Sequence, residues 1–303
     1  MFDPRWDDDP RQRDDQSRDL SRGNRGGSDP REREHVEPRD VFVDRVSLPR
    51  GPEREHIRFR DRDYTLRGSE SRTLASVGAF RVVPTPATSS TSPWTRRHGE
   101  LWHLRDSGLV ETVGLDRDAS AVTLTKEGRD LLEASRRDAD SPDRQTFNHG
   151  VQKPRELKHD AEVYRAYLDE AERLHDIDAN IHRVVLENEL KAEYQEFLQE
   201  RNRDRDDSDG RPDRDPLEIQ GWAREHNLPC DDRGHVQFPD VRVAYAIDGR
   251  DHTLDIEVMT PHYRGAHAAA KSSSGFALYF SNRSGGGGRS GGRTPSVIEE
   301  LLR

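Results

Sequence analysis

Hydrophobic and polar positions alternate most clearly in two neighbouring runs in the last third of the chain. The first run is VRVAYAI, residues 241–247, and the second covers residues 253–259. Alternation with a period of two predicts half-buried strands. Asp248 and Gly249 lie between the runs and form a two-residue turn signal, because both residues tolerate a positive φ. The pattern predicts an antiparallel hairpin. Its second strand would place Leu254, Ile256 and Val258 on one face and Asp255, Glu257 and Met259 on the other.

Apolar residues at helical spacing predict short elements before residue 138. A first helix is expected to be capped by Ser69 or Ser71 and to extend to about Val82. A second helix is expected to end at Gly108, since glycine adopts the left-handed conformation that closes a helix. Two strands around a charged tip and a third helix follow. The predicted buried positions of these helices are Leu74, Val77, Phe80, Leu101, Leu104, Leu131 and Leu132.

The second half of the chain mixes helical and strand patterns, which predicts an α/β (α+β) fold. Residues 181–191 are apolar enough for a strand, with Glu187 and Glu189 near its end. A short helix is expected from residue 216, and a last strand is expected near residue 278. An amphipathic helix opens this half. Its apolar face would carry Leu157, Ala161, Tyr164, Leu168 and Ala171.

Composition divides the chain into segments. Charged residues make up 36% of the chain and hydrophobic residues only 30%, so part of it is not expected to join a core. Residues 1–63 predict a disordered charged tail, in which only 41–46 resembles a strand. We expect one domain over 64–138 and a second over 153–282, separated by a charged linker. Residues 283–303 predict a Gly-rich linker and a short terminal helix.

Charge and cysteine content argue against a globally basic nucleic-acid-binding protein and against a disulfide-bonded secreted protein. The net charge is −10, so any contact with DNA must come from a local basic surface. The single cysteine, Cys230, excludes a disulfide framework within the chain and fits a reducing compartment. The acidic start is unlike a secretory signal, and no apolar run reaches the length of a membrane span. We therefore expect a cytoplasmic protein with no membrane partner.

Residues 101–129 resemble a winged helix of the MarR type. The resemblance rests on Leu101-x-x-Leu104, Gly108-Leu109-Val110, the Asp116-Arg117-Asp118 tip and Leu124-Thr125-Lys126-Glu127-Gly128-Arg129. It implies an N-terminal winged helix-turn-helix in which the helix before the hairpin enters the major groove. The implied DNA-binding residues are Thr95, Arg96, Arg97, His98, Arg105 and Arg117. The alternative is a winged helix that docks another protein.

The predicted hairpin resembles the PD-(D/E)xK nuclease core, in which Pro-Asp lies on one strand and an acidic residue on the next. Pro239-Asp240 and Glu257 match this pattern. Met259 stands where the family has lysine, and Lys271 would supply the amine from the following segment. The resemblance implies that Asp240 and Glu257 are metal ligands, that Mg²⁺ is the cofactor, and that the catalytic set is Glu189, Asp240, Glu257 and Lys271. The alternative is an ordinary surface hairpin with acidic outer positions.

The whole of residues 70–280 is similar to the replication-relaxation family of plasmids and integrative elements. The likeness rests on the 101–110 region, on His159-Asp160, and on the block that contains Asp240, Glu257, Lys271 and Tyr279. His159 itself is interpreted as a structural histidine on a helix surface.

The resemblance implies a DNA-binding accessory protein of a mobile element, acting in replication or mobilisation, with a nuclease-like domain of weak or absent activity. Its implied partners are double-stranded DNA, a relaxase or replication proteins, and a second copy of the chain. The alternatives are a Mg²⁺-dependent DNA endonuclease and a winged-helix transcriptional regulator.

Overall fold

The structure is a computed structural model. It describes residues 41–85, 98–117, 119–141, 143–202, 214–259, 271 and 273–280. The helices are α1 (Gly68–Phe80), α2 (His98–Asp106), α3 (Lys126–Ala134), α4 (Leu157–Asp176), α5 (Glu187–Gln199) and α6 (Pro216–Glu225). The strands are β1 (Glu55–Phe59), β2 (Arg62–Leu66), β3 (Val83–Pro84), β4 (Val110–Gly114), β5 (Ser120–Leu124), β6 (Asn180–Leu186), β7 (Val241–Ile247), β8 (Arg250–Met259) and β9 (Ala277–Phe280).

Three sheets organise the described residues. β1 and β2 form an antiparallel hairpin, and a second sheet has the strand order β3-β5-β4. The third sheet has the order β6-β7-β8-β9, in which β8 and β9 are parallel and the other neighbours are antiparallel. The predicted mixed α/β class is therefore confirmed. No helix in these ranges has the length and apolar character that crossing a bilayer requires.

The predicted hairpin is present as β7 and β8. Ile247 pairs with Arg250, and Asp248 and Gly249 form the turn with φ values of 50° and 73°. Two positive φ values are what a tight turn matched to the twist of the strands needs. The alternative of a surface hairpin with acidic outer positions is wrong at the open end, because Glu257 is fully buried on the face expected to be outer.

The first helix begins earlier than predicted. α1 starts at Gly68, so Ser69 and Ser71 lie inside it, and the Ser71 hydroxyl donates to the Arg67 carbonyl. The Glu70 carboxylate instead accepts from the Arg67 N–H at 3.1 Å. A glutamate three residues into a helix can satisfy the free N–H at the start as well as a hydroxyl cap can.

The Thr-x-x-Gly segment at the start of α3 has a local explanation. Thr125 caps α3 by accepting from the Gly128 N–H at 3.1 Å, and its hydroxyl donates to the Gly108 carbonyl at 2.7 Å. A Cβ added at Gly128 would lie 2.1 Å from the Leu109 carbonyl oxygen. Glycine is thus required here by the close approach of two backbones.

We expect Gly128→Ala to lower the free energy of unfolding by about 1–3 kcal/mol, because the new methyl group must push the backbone at Leu109 away. Urea denaturation followed by circular dichroism measures the change. Gly114→Ala is the matched control, since a Cβ at Gly114 meets nothing within 4 Å. Equal stability of the two variants would contradict the close contact.

The predicted tail of residues 1–63 is too long. Residues 41–63 contain a 3-10 helix, Val41–Arg45, and all of β1, and Phe42 and Val46 are fully buried. The tail is predicted from the composition of the whole segment, which is dominated by charged residues, so its few apolar side chains carry little weight in the prediction. They are sufficient for burial because they pack against a core made by the rest of the chain.

The two predicted domains share one hydrophobic core. The Phe80 ring lies 5.7 Å from Phe42, 5.0 Å from Tyr164 and 4.5 Å from Tyr167, between ring centroids. The same cluster of buried residues extends from Phe42 to Val258. The boundary expected between 64–138 and 153–282 is therefore not a boundary of the core.

The predicted linker is also packed into the fold. Phe147 is buried, and the buried Gln145 side chain bonds both backbone groups of Val184, accepting from the N–H at 2.9 Å and donating to the carbonyl at 3.0 Å. A side-chain amide can in this way continue the hydrogen bonding of a strand. The segment fixes β6 to the first half of the chain.

Candidate functional site

The candidate site lies at the open end of the β7–β8 hairpin. Asp240 directly precedes β7, Glu257 lies in β8, and Lys271 lies before β9. Their exposed fractions are 8%, 0% and 6%. The first turn of α4 adds His159, which sequence analysis did not place in the site. Two acids and two basic side chains thus meet where the strands end.

Glu257 and Lys271 form a buried ion pair. The Lys271 Nζ lies 3.0 Å from Glu257 Oε2 and donates to the Phe238 carbonyl at 2.5 Å. The amine also lies 5.6 Å from the centre of the Phe276 ring, within the range of a cation–π contact. Lys271 therefore reaches the second acid, as expected for a displaced lysine.

Asp240 uses both carboxylate oxygens within the protein. Oδ1 lies 3.0 Å from His159 Nε2, and Oδ2 accepts from the Val258 N–H at 2.7 Å. The second bond ties Asp240 to β8, one residue beyond Glu257. The two acids are consequently held in neighbouring positions by the sheet itself.

A second charged group stands beside His159. Arg81 Nη1 lies 3.9 Å from Asp160 Oδ2, and Arg81 also donates to the Asn188 side chain. Burial raises the pKa of the Asp160 carboxyl, while the positive charges of Arg81 and His159 oppose that rise. Arg81 follows α1 with a φ of 59°.

Burial disfavours the charged form of His159, but the hydrogen bond and the negative charge of Asp240 outweigh it, with help from Asp160 and Glu257. The pKa of the His159 imidazole is therefore raised above its ordinary value. A raised pKa means that the ion pair stabilises the fold fully below about pH 6.5. That stabilisation is lost as the pH rises through the raised pKa.

We expect ring-proton NMR to show the raised pKa of His159 directly, and Asp240→Asn to lower it because the amide carries no charge. Asp251→Asn is the control, since Asp251 is an exposed acid at the far end of the same hairpin. An unchanged His159 pKa in Asp240→Asn would show that the two side chains do not interact in solution.

Glu189, the predicted upstream acid, is engaged elsewhere. β6 ends at Leu186, so Glu187 and Glu189 lie in the first turn of α5 and not at the end of a strand. Glu189 forms an ion pair with Arg183 at 2.7 Å, and Glu187 pairs with Lys191 at 2.6 Å. Acidic residues favour a helix start because they interact with its dipole, and this explains their position without a catalytic role.

The described side chains do not fit a bound divalent cation. Mg²⁺ needs free oxygen ligands in octahedral order. Asp240 has a partner on each oxygen, and Glu257 is closed off by Lys271. Within the described ranges no group of three or more His, Cys, Asp or Glu side chains is arranged to hold a metal ion. The site as it stands is a set of ion pairs.

The predicted DNA-binding residues divide into two groups. Thr95, Arg96 and Arg97 lie outside the described residues, as does the side chain of His98. Arg105 on α2 and Arg117 at the tip of the β4–β5 hairpin are both exposed. Their guanidinium groups are thus accessible to a partner.

α2 carries an exposed tryptophan, and the tip of the β4–β5 hairpin forms an ion pair with α4. Trp102, which lies on α2 between the nominated residues, is 59% exposed. Asp116 at the hairpin tip forms an ion pair with Lys158 at 2.5 Å, next to His159 in sequence. The hairpin tip therefore contacts α4 through an ion pair whose two side chains are both exposed, and such a pair adds little stability.

His159 had a weak signal in the sequence, the His-Asp pair at the start of an amphipathic helix. Its partner could not be identified, because Asp240 is 81 positions away in the chain.

Comparisons with protein-family models, with curated proteins and with solved structures found no match to this chain.

Proposed function

We propose that this chain is a double-stranded DNA-binding accessory protein of a plasmid or integrative element, acting in replication or mobilisation beside a relaxase or replication proteins. Its nuclease-like site would have weak activity or none. The observation that carries the proposal is the convergence of Asp240, Glu257 and Lys271 at one end of the β7–β8 hairpin, with all three side chains in closed ion pairs.

The arrangement of residues 68–134 supports the DNA-binding half of the proposal. α2 directly precedes the β4–β5 hairpin, α3 follows it, and the short β3 pairs with β5 to give the order β3-β5-β4. A helix followed by such a hairpin suits a winged helix, with α2 in the major groove and the hairpin on the backbone. The exposed Arg105 and Arg117 lie on those two elements.

Electrostatics would limit the binding to that surface. The chain carries a net charge of −10, so the molecule as a whole repels DNA. Arginines on α2 and on the hairpin tip would bind phosphates and release counterions, which makes the affinity fall steeply with salt. The rest of the protein surface, which is acidic, would repel DNA and so confine binding to these two elements.

We expect the Arg105→Ala/Arg117→Ala double variant to bind duplex DNA more weakly and to lower the slope of log K against log salt by about 1 for each arginine removed. Fluorescence anisotropy of a labelled duplex over a salt series measures both quantities. The Arg96→Ala/Arg97→Ala variant tests the residues before α2 in the same way.

Arg224→Ala is the matched control, because Arg224 is exposed at the end of α6, outside the proposed DNA surface. Its affinity and slope should equal those of the unmodified chain. Absence of DNA binding by the unmodified chain at low salt would refute the proposal. An equal loss of affinity in Arg224→Ala would show that the DNA-binding surface is not specific to α2 and the hairpin.

A metal-dependent endonuclease is the second candidate. Only the placement of Asp240, Glu257 and Lys271 at one end of the hairpin favours it, and the 3.0 Å contact between Lys271 Nζ and Glu257 would have to open before a metal ion could bind there. Glu189 lacks this support because its described ion pair is with Arg183. Cleavage of plasmid DNA that depends on Asp240 distinguishes this candidate from the first.

A further inference from the structure

We propose that Lys271 is the built-in counter-ion of Glu257 and that His159 is the fixed hydrogen-bond partner of Asp240, and that the chain folds with these side chains in place of a divalent cation. The inference rests on the nuclease-like site named in the proposed function, and its test requires no DNA. It is argued from the contacts of each side chain in turn.

Lys271 is held by fixed acceptors. Its amine contacts Glu257 Oε2 and the Phe238 carbonyl, and it lies over the Phe276 ring. An ammonium has three donors, and the described residues supply acceptors for two of them. A cation that approached Glu257 would have to displace the amine from a buried position and leave the Phe238 carbonyl without its donor.

The buried acid explains why such a counter-ion is needed. Glu257 is fully enclosed, and an isolated carboxylate in an apolar interior is far too unfavourable to persist. Lys271 compensates that charge at 3.0 Å. A dication added beside Glu257 would place two further positive charges next to a buried ammonium, where repulsion is strong because the local dielectric constant is low.

Asp240 is closed in the same manner. A cation at Oδ1 would have to displace the His159 imidazole, and Oδ2 is already bound to the Val258 N–H. His159 comes from α4 and Val258 from β8, so the carboxylate links a helix to the sheet. Asp240 therefore has a structural role, in which its hydrogen bonds to His159 and to the Val258 N–H take the place of contacts with an ion.

The test is calorimetric titration of the full chain with Mn²⁺, together with its melting temperature in Mn²⁺ and in a chelator. The expected result is no saturable binding in the millimolar range and the same melting temperature in both solutions. Asp240→Asn and Glu257→Gln are titrated alongside. Saturable binding by the unmodified chain that either variant removes would overturn the inference, and binding that both variants retain would place the ion elsewhere and leave the inference standing.

A second measurement tests the counter-ion role of Lys271 itself. Lys271→Arg keeps the positive charge, whereas Lys271→Met keeps only the length of the side chain. We expect the melting temperature to fall clearly less in Lys271→Arg than in Lys271→Met. An equal fall would overturn the role of the charge. If the Mn²⁺ titration or the Lys271 variants gave the contrary result, the proposed DNA binding would still stand. If the chain did not bind DNA, the titration and the melting temperatures would still test the counter-ion role.

Discussion

Lys271→Met is expected to lower the free energy of unfolding by about 3–5 kcal/mol, because it leaves a buried carboxylate without its counter-ion. The carboxylate is that of Glu257, which is fully enclosed. The same substitution removes the donor to the Phe238 carbonyl, 2.5 Å from the amine. Both losses act in the folded state only, since water compensates these groups in the unfolded chain. Urea denaturation measures the difference.

Lys153→Met is the matched control for the loss of a lysine. Lys153 pairs with Glu156 at 3.0 Å, but the two side chains are 70% and 45% exposed, so the expected loss is below about 1 kcal/mol. The double variant Lys271→Met/Glu257→Leu should recover part of the loss, since replacing both partners removes the uncompensated charge. A single Lys271→Met variant as stable as the control would contradict the buried ion pair.

Phe80→Ala is expected to destabilise the core that extends from Phe42 to Val258, by about 3–5 kcal/mol, because it empties a space among buried aromatic rings. Phe80, from the first predicted domain, lies within 6 Å of Tyr164 and Tyr167 in the second predicted domain and of Phe42 in the predicted tail, between ring centroids. Loss of this ring therefore weakens the packing of the two halves together. The transition should shift as one cooperative step.

Ile177→Ala is the control for this variant, since Ile177 is exposed after α4 and its truncation should change stability by less than about 0.5 kcal/mol. Fluorescence and circular dichroism should give coincident urea transitions for Phe80→Ala. Two separate transitions, only one of them shifted, would show that residues 64–138 and 153–282 are independent domains after all.

Features set by neighbouring residues could be predicted from the sequence. The β7–β8 hairpin follows from alternation and from Asp248-Gly249, and the end of α2 follows from Gly108, whose φ is 71°. The buried face of α4 follows from the spacing of its apolar residues. These patterns depend on contacts within a few positions, where backbone geometry leaves few choices.

Features set by distant contacts could not be predicted in the same way. Phe42, Val43 and Val46 are buried because other parts of the chain, among them α1 and α4, provide an apolar surface for them. The sequence predicts that Glu187 lies near the end of a strand, but β6 ends at Leu186 and α5 begins at Glu187. An acidic residue at such a junction fits either element locally, and the packing of the helix decides.

The candidate site shows the same division between local and distant information. Asp240, Glu257 and Lys271 could be nominated from a short pattern, whereas His159 could not, because its role depends on a contact with Asp240 across the fold. The sequence nominates Glu189 as an acid near the end of a predicted strand, but its described ion pair is with Arg183. A pattern can name the acids and the lysine of such a site, but the contact between His159 and Asp240 comes from the tertiary structure.

The most direct test of the central claim is a single gel assay of supercoiled plasmid incubated with the full chain and Mg²⁺ or Mn²⁺ at low salt. The account predicts that the plasmid is retarded, and that it is still supercoiled after the protein is removed. Nicked or linear plasmid produced by the unmodified chain and not by Asp240→Asn would contradict it, and so would a plasmid that is never retarded.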